Sequence, residues 1–304
     1  MSTVYLFPGQ ASQHVGMGRV LYEREPAARA VFDQADEALG FALSELCFYG
    51  PEEVLTDTVN QQPALYVTSL AAWAVLQEKE WPAAAYVAGH SLGEFSALAA
   101  VGSLAFTDGL ALVRRRGQLM EAAGKEAPGE MAAILALDMA EVEKRCVEAQ
   151  EVVGRPVQVA NDNCPGQVVI SGDRQAVQEA VRLAKESGAR KVITLPITIA
   201  AHSPLMEPAV EAFSEAIRET PFSEPAVPVI GNTSARPLTT PDAIRAELTA
   251  QLTGSVRWTE SMRYLREQGV DTFIEVGPGD VLTGLMKRID RKATRKAFNI
   301  EEGT

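Results

Sequence analysis

Apolar residues along this chain follow two spacings. Short unbroken runs ended by glycine or proline read as buried strands of a parallel sheet, and stripes at three- and four-residue intervals read as helices packed on it. Val4-Tyr5-Leu6-Phe7 is the first such run and stops at Pro8-Gly9. Helical spacing follows through Val31, Ala35, Ala38 and Leu39, closed by Tyr49-Gly50-Pro51. A long helix is expected from Gln61-Gln62-Pro63 through Leu65, Leu70, Trp73 and Leu76. Tyr86-Val87-Ala88-Gly89 is the next strand, followed by an alanine-rich helix over 92–101 and, after Gly102, a helix over 107–123.

The pattern changes at Ala127-Pro128-Gly129. Strands are expected at 131–137, 157–161, 167–171 and 192–195, with helices at 140–150 and 175–187. That βαββαβ order is the signature of a ferredoxin-like unit of about seventy residues. The chain is therefore expected to be α/β, with an α/β-hydrolase-like large subdomain (1–127 and 197–304) and an inserted ferredoxin-like small one (128–196). The polar hairpin Asn161-Asp162-Asn163-Cys164-Pro165-Gly166 is placed to border a cleft between them. The main unit then resumes with a short strand ending at His202, a strand over 227–232, helices over 244–252 and 258–268, and a strand over 272–276. The basic segment from Lys287 to Lys296 reads as a solvated terminal helix.

Composition narrows the class without naming a chemistry. With 304 residues, 46% hydrophobic and 22% charged, the chain is long and apolar enough for a main domain carrying a smaller one. No segment approaches the length of a bilayer span and the N-terminus lacks a basic signal region, so a cytosolic protein is expected. A net charge of −12 argues against nucleic-acid binding. Cys47, Cys146 and Cys164 are too widely spaced for a disulfide framework or a zinc site.

The chemistry concentrates at Gly89-His90-Ser91-Leu92-Gly93. A strand entering Gly-x-Ser-x-Gly and leaving as a helix is the context of a nucleophile elbow, in which the glycines let strand and helix approach and the serine hydroxyl projects alone. The helix N-terminus supplies unpaired N–H groups suited to a developing oxyanion. Gln10 follows Gly9 at the carboxyl end of the first strand, where a backbone N–H can face a substrate. A serine nucleophile needs a base, and the chain has three histidines. His90 is held within the elbow facing away from Ser91, and His14 lies in a glycine-rich loop, which leaves His202. In the helix over 107–123, Leu110, Val113 and Met120 share a face, Arg115 points away, and Arg114 and Arg116 flank that face on opposite sides. Periodicity does not choose between the two flanking arginines.

Taken together, Phe7-Pro8-Gly9-Gln10-Ala11-Ser12-Gln13, Gly89-His90-Ser91-Leu92-Gly93-Glu94, Arg116-Gly117-Gln118-Leu119-Met120, His202-Ser203-Pro204-Leu205-Met206 and Glu275-Val276-Gly277-Pro278-Gly279 resemble the malonyl-CoA:acyl carrier protein transacylase family, end to end and in order. The resemblance implies transfer of malonyl from malonyl-CoA to the phosphopantetheine thiol of acyl carrier protein, for fatty-acid or polyketide synthesis. Ser91 would carry the malonyl ester and His202 would act as base, oriented by a main-chain carbonyl at Gln251 rather than by an acid. The N–H groups of Gln10 and Leu92 would form the oxyanion hole, Arg116 would clamp the malonyl carboxylate, and Met120 would line the substrate site. No bound cofactor or metal, no membrane partner and a monomeric chain are expected.

One position departs from the family pattern. Many malonyl-specific members carry phenylalanine immediately before the histidine, whereas Ala201 stands here and leaves room beside the acyl α-carbon for methylmalonyl; some malonyl-using relatives also have a small residue there, so malonyl is the expected substrate. A serine hydrolase would share the elbow, but would usually place its histidine late in the chain, and no histidine follows His202. A non-catalytic carrier-protein scaffold would have no use for Ser91, His202 and Arg116 together. Lys185, Arg190 and Lys191 are candidates for docking an acidic carrier protein.

Overall fold

The computed structural model describes residues 2–195, 197 and 199–298. Its larger sheet has six strands in the order β10-β9-β1-β2-β7-β8, namely Thr294–Phe298, Val270–Val276, Ser2–Phe7, Ala84–Gly89, Val229–Ile230 and Pro237–Leu238. Pairing is parallel throughout except between β7 and β8. β1 lies at its centre, which is why its apolar run is unbroken. Tyr5 and Phe7 enter the core on one face, whereas Val4 and Leu6 enter the core on the other.

The helix Thr58–Gln77 carries the chain from β1 to β2 and is buried on nearly every side, from Gln61 to Leu76. It starts three residues before the expected Gln61, because the Asp57 side chain accepts from the Val59 N–H and caps it, leaving Pro63 inside the helix. With Phe106–Glu126 it covers one face of the sheet. Trp258–Glu267 and Val281–Ile289 cover the other, through Trp258, Met262, Leu265, Leu282 and Leu285.

The second sheet is antiparallel, in the order β4-β5-β3-β6, formed by Val157–Cys164, Gln167–Asp173, Gly129–Leu135 and Lys191–Thr194. That is the strand order of a ferredoxin-like fold. Met139–Val153 and Arg174–Glu186 pack on one face over Ile134, Val168 and Ile170. Met131, Ala133, Ala160 and Val169 on the other face join the core of the large sheet. Two backbone bonds stitch β4 to the chain near Val256: Asp162 N–H to Val256 O (2.9 Å) and Val256 N–H to Ala160 O (2.8 Å).

Several expectations differ from the structure. β4 runs on to Cys164, so most of the expected polar hairpin is strand and only Pro165-Gly166 turns. No strand runs into His202 from the described residues after β6; Pro196 and Thr198 lie outside them, and 199–203 is irregular chain. The strand expected at 227–232 shortens to Val229–Ile230, with Pro228 before it and Gly231 after. The basic tail is not one helix. Lys287 and Arg288 end Val281–Ile289, whereas Arg295 and Lys296 lie on β10, an edge strand that carries charge where no further strand pairs. Cys47, Cys146 and Cys164 are unpaired and buried. Among the described residues no helix is long and apolar enough to cross a membrane.

Candidate active site

The site lies beyond the carboxyl ends of β1 and β2, the edge at which open α/β sheets bind ligands. Gly89 ends β2, and a Cβ there would sit 1.9 Å from the Gly93 backbone. A Cβ at Gly93 would sit 2.0 Å from the Phe7 carbonyl oxygen. Only glycine permits this crossing of strand, turn and helix. Ser91 takes a left-handed φ of 51° at the turn, and the helix Gly93–Ala100 starts two residues later. The strained turn is held by non-local bonds. Asn232 Oδ1 accepts from the Ser91 N–H at 2.7 Å, and Asn232 Nδ2 donates to Gly89 O at 2.8 Å.

Ser91 Oγ lies 2.8 Å from His202 Nε2. The opposite ring nitrogen, Nδ1, faces two carbonyl oxygens, Gln251 at 2.8 Å and Gly254 at 3.1 Å. Carbonyls only accept, so Nδ1 carries the proton and Nε2 is left to accept from the serine hydroxyl. Burial and then the Arg116 charge lower the His202 pKa to about 3. The imidazole is therefore neutral at physiological pH and is available as a base.

His202 is also braced from the small sheet. Its φ is 57°, and its carbonyl accepts from Gln158 Nε2 at 2.8 Å; the same Nε2 donates to Thr253 O at 2.8 Å. His90 turns the other way, as the sequence implied, with Nε2 2.8 Å from Asn163 Oδ1 and its ring beside Trp258. His14 sits outside the site, its Nδ1 3.3 Å from Val15 O.

The two flanking arginines separate cleanly. Arg114 lies over the Phe41 ring at 4.7 Å and, with Arg115, lines a surface groove beside Ala38 and Leu39. Arg116 is 1% exposed and points at Ser91, with Nη2 3.2 Å from Ser91 Oγ and 3.0 Å from Gln251 Oε1. Its Nη1 donates to Gln62 Oε1 at 2.9 Å. Nε is buried with no partner, and among the described residues no carboxylate lies within ion-pair distance. Burial lowers its pKa to about 10, which leaves the guanidinium charged, and Glu94 acts to raise it. A buried, partly unsatisfied guanidinium beside a serine hydroxyl has the chemistry to bind a planar anion.

The remaining expected residues are also nearby. A Cβ at Gly9 would strike the His90 carbonyl at 2.3 Å, so the Gly9-Gln10 turn abuts the elbow, and the Gln10 side chain bonds Gln61 Oε1. The Gln10 and Leu92 N–H groups donate to no protein acceptor among the described residues. Met120 shares the inner face of its helix with Arg116, and its sulfur accepts from Gln62 Nε2 at 3.4 Å. It makes no hydrogen bond to Ser91. Lys185, Arg190 and Lys191 are exposed at the end of Arg174–Glu186 and the start of β6, away from the reacting groups. Among the described residues, no group of three or more His, Cys, Asp or Glu is placed to hold a metal ion.

Sequence reasoning missed Gln62, Glu94, Gln158 and Asn232. One signal was available: Gln62 is a long polar side chain, fully buried near the start of a helix whose later turns are mostly apolar.

Residues 4–300 match the acyl transferase domain family. The chain belongs to this family. It is 47% identical over 288 residues to the malonyl CoA-acyl carrier protein transacylase of Bacillus subtilis (strain 168), a match covering 95% of this chain and 90% of that protein. The transacylase of Escherichia coli (strain K12) is 43% identical over 295 residues, 97% of this acyl transferase and 95% of its relative. The acyl-carrier-protein-S-malonyltransferase of Bartonella henselae superposes with a TM-score of 0.94 at 42% identity, covering 99% of this chain and 96% of that one. A malonyl-transacylase solved in complex with a type II polyketide-synthase acyl-carrier protein superposes with a TM-score of 0.93 at 39% identity, covering 98% of this chain and 95% of that one. These matches bear out the α/β acyltransferase architecture expected from the sequence.

Proposed function

We propose that this acyl transferase moves malonyl from malonyl-CoA to the phosphopantetheine thiol of an acyl carrier protein. The observation that carries the reading is Arg116, a buried cation with an unpartnered Nε, 3.2 Å from Ser91 Oγ through Nη2. An acetyl group presents nothing for it to bind; malonyl presents a carboxylate at the far end of the acyl chain. The transacylases named above act on the same substrates.

His202 Nε2 takes the Ser91 proton as Oγ attacks the thioester carbonyl. The Gln10 and Leu92 N–H groups receive the oxyanion, which collapses to expel CoA thiolate, and His202 supplies its proton. The carrier thiol then attacks the malonyl-serine ester with the same base. Gln251 orients the imidazole through its carbonyl, and Arg116 holds the acyl carboxylate throughout. Met120 closes the wall beside Arg116, and Ala201 leaves space by the acyl α-carbon.

The division into a large subdomain (1–127 and 197–304) and a small one (128–196) fits two sheets with the site between β2 and the His202 segment. Lys185, Arg190 and Lys191 suit an acidic carrier surface. The protein works as a cytosolic monomer without a bound cofactor.

Malonyl transfer from malonyl-CoA to holo carrier protein tests the reading, run on wild type, Arg116→Ala and a charge reversal of Lys185, Arg190 and Lys191. Arg116→Ala should lower malonyl transfer about a hundredfold or more, and the reversal should raise only the carrier-protein KM. Steady release of free malonate by wild type, with no transfer, would point to hydrolysis instead.

A further inference from the structure

Glu94 is fully buried in the first turn of Gly93–Ala100, yet it has no place in the reaction described above. An acid in a helix's first turn ordinarily answers the helix dipole from the solvent side. Glu94 instead turns inward. Its Oε1 accepts from the Asn232 backbone N–H at 3.1 Å, and its Oε2 accepts from the Gln251 side-chain Nε2. Burial and neighbouring Glu247 raise its pKa well above the usual carboxylate range, against the pull of the amides of Gln251 and Asn232.

Both of those partners hold the elbow. Asn232 takes the Ser91 N–H, and Gln251 Nε2 donates to Ser91 O at 3.0 Å. With its Nε2 shared between Ser91 O and Glu94, the Gln251 amide has one orientation, in which Oε1 faces Arg116 Nη2 at 3.0 Å. Arg116 and Glu94 are thus joined by two hydrogen bonds through one amide, with Gln251 as the link.

We propose that Glu94 is a positioning residue for acyl selection: accepting from Asn232 and Gln251 together, it locks the Gln251 amide oxygen onto Arg116 and holds the guanidinium where an acyl carboxylate meets it. The residue type follows from the bonding. Glutamine at this position would set an NH2 against a donor, either the Asn232 N–H or the Gln251 NH2. Turning the Gln251 amide over relieves that contact but sets its NH2 against Arg116 and its oxygen against Ser91 O. In the first arrangement the Asn232 N–H loses its acceptor beside the elbow; in the second Arg116 loses an anchor, and loading of malonyl suffers more than loading of acetyl, which does not use Arg116.

This inference rests on the reading of Arg116 as the malonyl clamp. The test is kcat/KM for acylation of the protein by malonyl-CoA and by acetyl-CoA in wild type, Glu94→Gln and Glu94→Asp, with a thermal melt of each. The malonyl-to-acetyl ratio should fall about tenfold or more in Glu94→Gln. It should fall less in Glu94→Asp, which keeps both acceptor oxygens one methylene short. If Glu94→Gln does not fold, the Glu94→Asp ratio decides. An unchanged ratio in the folded variants overturns the proposal even if both rates drop, because a residue serving only the fold slows both esters alike. A wild type with no malonyl preference refutes the Arg116 reading instead.

Discussion

The elbow and the His202 segment both hold a non-glycine residue at positive φ, 51° at Ser91 and 57° at His202, but they are held in different ways. The elbow is permitted by two glycines within one five-residue motif, Gly89 against the Gly93 backbone and Gly93 against the Phe7 carbonyl, and is then tied by Asn232. The His202 segment has no such device. Its backbone N–H reaches Leu252 O at 3.2 Å, its ring reaches the carbonyls of Gln251 and Gly254, and its carbonyl is gripped by Gln158. Both segments are tied by tertiary bonds, but only Ser91 is also marked by a short glycine motif, whereas His202 rests only on bonds spanning 44 to 52 residues of sequence.

That contrast is open to test. The largest effect is expected from Gly93→Ala, since the added Cβ would fall 2.0 Å from the Phe7 carbonyl oxygen, a backbone atom with little room to move. A stability loss of about 4 kcal/mol or more, or failure to fold, should appear in thermal melts. A melt within a degree of wild type would show that the elbow tolerates a Cβ.

Gln158→Ala should act more mildly, because it removes one side-chain donor from two carbonyls and leaves the elbow intact. A loss of about 1–3 kcal/mol is expected in denaturant titrations, with a several-fold drop in malonyl loading as His202 drifts. Loading at the wild-type rate would mean that the small sheet does not brace the base.

The effect that is smallest near neutral pH, and grows only in acid, concerns His202. The folded His202 pKa lies near 3, below the ordinary 6.5, so below about pH 6.5 the unfolded chain binds a proton that the folded chain refuses. Stability contributed by neutral His202 is present above 6.5 and lost as pH falls toward 3. Wild type should therefore lose its melting temperature faster than His202→Gln over that window, with shared groups such as Glu94 cancelling in the difference. Parallel curves would contradict the burial of a neutral imidazole.

Much of this was legible in the sequence, for a physical reason. β1, β2 and β9 of the large sheet announce themselves because a central parallel strand is apolar on both faces, whereas the edge strands β10 and β8 do not, and the βαββαβ order of the small unit is a local pattern repeated in the sheet order β4-β5-β3-β6. Ser91 was readable from two glycines. Arg114 and Arg116 were not separable by periodicity, since both flank the apolar face of one helix; what separates them is Phe41 beside the first and Gln62, Ser91 and Gln251 beside the second. Glu94, Gln158 and Asn232 were invisible because each acts through partners more than forty residues away. The segment before His202 was misread as strand for a related reason, as apolar and small residues there pack into the core as irregular chain.

The central claim is that Ser91 carries the acyl group and Arg116 chooses it. Intact-protein mass spectrometry after brief exposure to malonyl-CoA or acetyl-CoA, on wild type and Ser91→Ala, tests both halves at once. A malonyl adduct on wild type alone, weak or absent with acetyl-CoA and discharged by holo carrier protein, is the expected result. An adduct that persists in Ser91→Ala, or equal labelling by the two esters, would contradict it.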